Sequence, residues 1–334
     1  MAEAVFAFVD GVRAGVRGPA WIVGAFRLEY AQREIFDGGA VAVDIAFGRE
    51  TARDAVVIEG RHKSVSWRIA LGPADTAPIR ADIHLGGMPR SFARSLVQGY
   101  VIEPLVSIVA AEHGQALVPS AAFAGSTGVT LILGRSRAGK STLMARLMAA
   151  GHDVLGDDQL FVDARGRCVA FPRRLRFYPD LGTTAPAAYA RLPAGLRRRL
   201  RFMGLLSALT RGQIRPSLAV DRSAIGGHWV PGPLLLERVV LLQRGDHAGE
   251  LRSAPASPEQ AVAWATRLLV EQRARLALSD EVGWGARLDR ANEAETAILG
   301  DTFAGPAIVS ISVPYDWPAS AAVTAVARRL GLDA

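Results

Sequence analysis

The stretch Val129-Thr-Leu-Ile-Leu133 followed by Gly134-Arg135-Ser136-Arg137-Ala138-Gly139-Lys140-Ser141-Thr142 sets the frame for the chain. Five apolar or β-branched residues predict a buried strand, the glycine-bearing segment a turn, and the pattern from Ser141 to Ala150 a helix. Glycine, four residues, then glycine, lysine and serine is the phosphate-loop spacing. In such a loop the backbone N–H groups and the positive end of the next helix surround phosphate oxygens. The lysine reaches the terminal phosphates, and the serine hydroxyl ligates Mg²⁺. Residues Gly134 to Thr142 are therefore the expected nucleotide-binding set, with Arg135 and Arg137 adding two guanidinium groups beside it.

Composition sharpens the reading of one residue. Lys63 and Lys140 are the only lysines, leaving 37 of the 39 basic residues as arginine. A retained lysine in so arginine-biased a chain marks a position where a compact ammonium is needed and a planar guanidinium will not serve.

Working outward, Gly151 ends the helix and Val154 to Gly156 reads as a second short strand, so the local order is βαβ. Asp157 and Asp158 then stand 17 and 18 positions beyond Lys140. A helix of about ten residues carries the chain roughly 15 Å away, and a strand of about four residues returns roughly 13 Å of it. The two carboxylates are thus expected back at the phosphate edge. There they suit metal ligation and general-base work on an attacking hydroxyl. A solvated turn after a strand is the plainer alternative.

These residues resemble the HPr serine kinase/phosphorylase family and its relatives: the loop through Thr142, then Gly151-His152, then Leu155-Gly156-Asp157-Asp158. The resemblance is specific over Val118 to Asp163. It is looser beyond, where Pro172-Arg173-Arg174 is similar to a Pro-Arg segment of the relatives, and it does not extend to the first 90 residues. It implies an α/β P-loop mixed-sheet kinase core that uses ATP and Mg²⁺ to phosphorylate a hydroxyl. Asp157 would be the base, and Asp158 with Ser141 would surround the metal. Related kinases phosphorylate a serine of a ribosomal peptide precursor, such as that of a lasso peptide. The family places a histidine fifteen residues before the first loop glycine; here that position is Pro119, with Ser120 beside it.

Arg173 and Arg174 are candidates to clamp a transferred phosphate or an acidic substrate, because a guanidinium fork binds such groups bidentately; Arg176 is a weaker one. Arg197, Arg198, Arg199 and Arg201 form a basic helical run that could dock an acidic peptide, although such runs are usually solvated faces. His113, His228 and His247 lack companions at metal spacing and read as capping or surface groups.

The remaining organisation predicts a mostly antiparallel β-rich module over 1–90, a helical connector over 91–115 and the kinase-like domain over 116–334. Within the module, strands are expected at Ala20–Tyr30, Ala40–Phe47, Ala55–Glu59, Ser64–Leu71 and Ile79–Leu85. Pro104 should kink or split the connector helix. Later come a helix over Leu192–Arg211, a strand over Leu234–Leu242, and a helix from the Ser257-Pro258-Gln260 start signal to about Leu278. A final strand (Ala307–Val313) and helix (Ala319–Leu330) follow.

Among 334 residues, half are apolar and 21% charged, which excludes disordered and fibrous classes. Charged residues interrupt each apolar stretch before membrane-spanning length, and no secretory signal opens the chain, so a soluble, cytoplasmic protein with no membrane partner is expected. Cys168 alone gives no disulfide framework or zinc site. The formal charge of +7 invites a nucleic-acid reading, but no aromatic-basic interleaving suited to stacking bases accompanies it. The expected partner is a peptide or small protein bearing the acceptor hydroxyl. A small-molecule acceptor, or a nucleotide-gated binding protein without turnover, are the alternatives. Relatives often assemble, so a homo-oligomer is compatible with the reading.

Overall fold

The computed structural model describes residues 1–48, 55–135, 138–211, 216–230, 232–276 and 283–332. The chain forms two compact units. One comprises Met1–Leu117 and Thr266–Leu299; the other comprises Val118–Ala265 and Gly300–Ala334. The class is mixed α/β, with strands of both directions in each large sheet.

The first unit contains β1 (Ala2–Val9), β2 (Val12–Gly18), α1 (Ala20–Glu29), β3 (Glu34–Ile35), β4 (Val43–Phe47), β5 (Val56–His62), β6 (Val65–Leu71), β7 (Ile79–Gly87), α2 (Arg90–Val97) and α3 (Glu103–Glu112). Its sheet runs β3-β1-β2-β4-β7-β6-β5, with parallel pairing on both sides of β4 and antiparallel pairing elsewhere. On β7 burial alternates, with Ile79, Ala81 and Ile83 inward, whereas β6 buries Val65 and then Ile69, Ala70 and Leu71 together.

Two expectations fail in this unit. Ala20–Tyr30 is a helix, not a strand. Ile22, Val23, Phe26 and Glu29 are buried along one helical face, so the 3.6-residue period outweighs the β-branched and aromatic content. The hairpin of β1 and β2 was not anticipated, although Asp10-Gly11 at its turn, with Gly11 at φ +76°, is a strong hairpin signal. Phe6, Phe8 and Phe26 pack around Tyr30 at centroid distances of 5.3, 5.2 and 5.9 Å, edge-on for the first two.

The connector is one helical run from Arg90 to Glu112. Its pattern changes where Pro104 suggested: residues Gln98–Ile102 form a wide π-type turn between α2 and α3, just ahead of Pro104, whose missing N–H interrupts the regular ladder there. The run Arg90–Glu112 is the one described segment long and apolar enough to cross a membrane by composition. In it, 67% of the most apolar window is buried inside the protein.

β8 (Gln115–Val118) leads into the second unit: β9 (Ser120–Ala124), β10 (Val129–Leu133), α4 (Lys140–Ala149), β11 (Val154–Gly156), β12 (Leu160–Asp163), β13 (Arg167–Ala170), β14 (Leu175–Phe177), α5 (Leu181–Thr184), α6 (Pro186–Arg191), α7 (Ala194–Leu209), β15 (Leu218–Val220), β16 (Leu234–Arg244) and β17 (Arg252–Pro255). Two long helices, α8 (Pro258–Arg273) and α9 (Trp284–Phe303), pass through the first unit before β18 (Ala307–Val313) and α10 (Ala319–Arg329). Strands β11-β9-β10-β16-β13-β12 lie side by side, with β18 along β16 and β17 along β18. Leu143, Met144, Leu147 and Met148 of α4 pack with Ile132, Val240 and Val323 in this unit's core.

The start signal of α8 forms as read. Gln260 accepts from the Ser257 backbone N–H at 2.9 Å, and Ser257 Oγ accepts from the Gln260 N–H at 3.3 Å. The helix stops at Arg273, however, with a 3₁₀ turn to Leu276; the end expected near Leu278 lies outside the described residues. The 20-residue α9 was not anticipated. Its buried face is interrupted by Arg287 and Glu295, charges that hide the apolar period from a reading of hydropathy alone.

Candidate functional site

The glycine-lysine turn connects β10, whose five residues are all buried, to α4. Gly139 occupies the N-cap at φ +98°, a left-handed conformation that glycine adopts without strain. Gly134 meets a second demand, since a Cβ there would lie 2.7 Å from the Leu242 carbonyl oxygen. The Lys140 ammonium donates to the Gly134 carbonyl and, at 3.2 Å, to that of Arg135, so it is folded over the mouth of the turn. Ser141 and Thr142 open α4 half-buried. Of the predicted loop, Ser136 and Arg137 lie outside the described residues, while Arg135 is exposed and Ala138 half-buried.

α4 ends in a Schellman motif. The N–H of Gly151 bonds to Met148 O at 3.1 Å and that of His152 to Leu147 O at 2.9 Å, with Gly151 at φ +92°. The Gly-His pair is therefore accounted for by helix termination.

β11 runs antiparallel to β9, which runs antiparallel to β10, so β10 and β11 point the same way. Asp157 and Asp158, directly after β11, consequently stand at the same sheet edge as the turn after β10. Ser120 stitches the two ends together: it pairs with Leu133, and its N–H donates to the Asp158 carbonyl at 3.0 Å. Pro119 immediately precedes it. The buried Ser120 hydroxyl is turned to Val118 O at 3.1 Å.

Asp157 is 3% exposed, and its Oδ2 has no hydrogen-bond partner. Burial is the main cause that pushes its pKa up to about 7. The charge of Asp158 adds to this, while Arg173, the backbone N–H of Arg176 and Arg222 oppose it. Asp158 pairs with Arg173 at 3.3 Å. Burial also lowers the pKa of Lys140, against the favourable charges of Asp158 and Asp157, which places the ammonium within the field of both carboxylates.

The predicted arginines separate. Arg173 reaches Asp158; the charge of Arg174 acts on Asp221; Arg176 contributes its main chain to Asp157. Two further participants escaped the sequence reading. Arg222, 6% exposed, donates from Nη1 to Val154 O (2.9 Å) and Leu155 O (3.2 Å), lies 5.0 Å from the Trp229 ring centroid, and carries charge that acts on Asp157. Its only local sequence signal is Asp221, whose carboxylate accepts from the Ser223 N–H at 2.9 Å and caps the turn that presents Arg222. Tyr178, directly after β14 and two residues beyond Arg176, is half-exposed, and burial together with the charge of Asp158 raises its hydroxyl pKa.

On the opposite side of the turn, β16 runs parallel to β10, and β18 parallel to β16. The loop after β18 thus reaches the same edge. Arg244 Nη1 gathers its carbonyls at Pro314 (3.0 Å), Tyr315 (3.4 Å) and Trp317 (2.7 Å), leaving Tyr315 63% exposed. An open cleft of about 560 Å³ begins at Trp317 and follows α10 past Thr324 to Arg328.

Among the described residues no group of three or more His, Cys, Asp or Glu side chains could enclose a metal. A hard cation at this edge would be held by the oxygens of Asp158 and Ser141 and would need outside ligands, the pattern of Mg²⁺ bound with phosphates rather than in an all-protein cage. His228 is engaged with Asp153 at 2.8 Å, His113 with Val109 O and His247 with Ser312. No known family model matches the chain, and no curated protein matches its sequence.

Proposed function

We propose that this chain is an ATP-dependent phosphotransferase with an HPr-kinase-like core, transferring the γ-phosphate to a hydroxyl, most simply a serine or threonine of a peptide or small protein. The observation that supports this best is a buried Asp157 with a bare carboxylate oxygen and a pKa of about 7, brought to the sheet edge where Lys140 caps a glycine turn.

Lys140 leaves its loop carbonyls to neutralise phosphate oxygens, which the N–H groups of the turn and the start of α4 also bind. Asp158 and Ser141 would hold Mg²⁺, which would supply positive charge against the phosphates. Asp157 receives the proton of the acceptor hydroxyl as the new O–P bond forms. The bond from the γ-phosphorus to its bridging oxygen breaks, and the electron pair leaves on the β-phosphate. Arg173, already against Asp158, lies where charge develops on the transferred group. Tyr315 and Trp317 offer aromatic surface for the nucleotide base. Strands lie about 4.8 Å apart, so two strands carry the base side roughly 10 Å from the turn, away from the acids.

The test has two parts. Calorimetry with magnesium and ATP should show binding by the wild type and loss of binding in Lys140→Ala. Wild type should then transfer label from γ-labelled ATP to a library of serine and threonine peptides, while Asp157→Asn should bind nucleotide without transfer. Absence of binding heat in the wild type, or equal labelling by Asp157→Asn, contradicts the proposal.

A further inference from the structure

α7 carries apolar residues on two opposite faces. One face packs inward through buried Leu200 with Leu196 and Met203. The other presents Phe202, Leu205 and Leu209 to solvent, at 67%, 59% and 74% exposure. With Arg198 they fall at i, i+4, i+7 and i+11, a single stripe on the far side of the helix. Arg201 borders this stripe on one side and Arg199 on the other, both exposed. Arg201 also donates to the Tyr189 hydroxyl at 3.1 Å. A surface helix normally leaves its outer face polar, so an apolar ridge headed by guanidinium groups at its N-terminal end calls for a partner.

Charge and position identify the partner. A second copy of the same face would set these arginines against arginines if parallel and against apolar side chains if antiparallel, and neither arrangement supplies them a carboxylate. An acidic amphipathic segment satisfies both elements, its apolar side on the ridge and its carboxylates on the flanking guanidinium groups. Midway along α7, Gly204 lies against Pro179, close enough that a Cβ would sit 3.4 Å from the proline Cβ. Pro179 lies three residues beyond Arg176, whose backbone N–H bonds to the Asp157 carboxyl. A polypeptide held on α7 is therefore held next to the segment that lines the acids. A bilayer would gain nothing from that adjacency.

We propose that the solvent face of α7 docks an acidic amphipathic stretch of the polypeptide that carries the phosphate acceptor. This rests on the kinase reading for the purpose of the contact, but the contact itself is measured without nucleotide.

The probe is a labelled synthetic peptide of about 15–18 residues, long enough to form a helix, with leucine at i, i+3, i+4 and i+7 and glutamate elsewhere. Fluorescence anisotropy should give saturable binding that weakens with salt and is absent for the lysine version of the peptide. Phe202→Ser/Leu205→Ser and Arg198→Glu/Arg201→Glu should each weaken it about tenfold or more, with unchanged circular dichroism. Lys140→Ala should leave it intact. Failure of the glutamate peptide to bind, indifference of binding to both pairs of substitutions, or preferential binding to vesicles of phosphatidylcholine and phosphatidylglycerol would overturn the proposal. A wild type that binds the peptide but not Mg-ATP would remove the kinase reading and leave the docking surface standing.

Discussion

Arg222 is fastened to the carbonyls of Val154 and Leu155, three and two residues ahead of Asp157, and its charge opposes the burial that raises the pKa of that carboxyl. One side chain thus fixes the end of β11 and tunes the acid that follows it. Arg222→Leu should cost roughly 2–4 kcal/mol, because two carbonyls lose a charged donor in a buried setting. It should also move the ionisation of Asp157 to higher pH. Denaturant melts and the pH dependence of phosphate transfer check the two effects separately.

The raised pKa of Asp157 makes the acid a burden on the fold above neutrality. Between about pH 4 and about pH 7 the folded chain holds a proton on this carboxyl that the unfolded chain has released, so stability falls as pH rises through that window and levels off above it. Asp157→Asn should therefore melt several degrees higher than wild type at pH 8, with the gap closing toward pH 4. Thermal scans across that range decide it. If Asp157 is the base of the proposed transfer, activity should run the opposite way, rising through about pH 7 as it ionises.

Lys140 sits under carbonyls that a guanidinium fork would overfill. Lys140→Arg should consequently fail to restore nucleotide binding lost in Lys140→Ala, with at least about a tenfold weaker Kd in either variant. Calorimetry with Mg-ATP provides the measurement.

In the first unit, Arg273 and Glu295 form a buried ion pair, joined by the Ser107 hydroxyl at 2.9 Å from Arg273 and 3.1 Å from Glu295. Glu295→Leu alone should cost about 3–5 kcal/mol by stranding the guanidinium, whereas Arg273→Met with Glu295→Leu should recover most of it. Urea denaturation of the three proteins is the check.

What was legible in the sequence follows a physical divide. The β10–α4–β11 unit could be read because glycine positions, strand length and helix length fix where Lys140 and the two aspartates end up. Lys140 also stood out in a chain that uses arginine almost everywhere. Arg222 could not be found that way. It reaches Asp157 from 65 positions downstream, through a short turn, and it is one arginine among 37. α9 was hidden because the face it buries contains Arg287 and Glu295, which are matched by Glu112 at 2.7 Å and by Arg273. Charges satisfied by distant partners look like solvent-facing residues until the partners are known. α1 failed for a different reason: residue type favoured a strand while spacing favoured a helix, and burial follows spacing.

The first unit is closed by Thr266–Leu299, where fully buried Trp284 donates to the Gly72 carbonyl at 3.0 Å. That unit is therefore completed only by a segment made after residues 118–265 of the other. During synthesis Ser107, Glu112 and the Gly72 carbonyl wait for their late partners while the intervening portion emerges. A fragment ending at residue 117 would lack those partners and should be less stable than the same residues in the full chain.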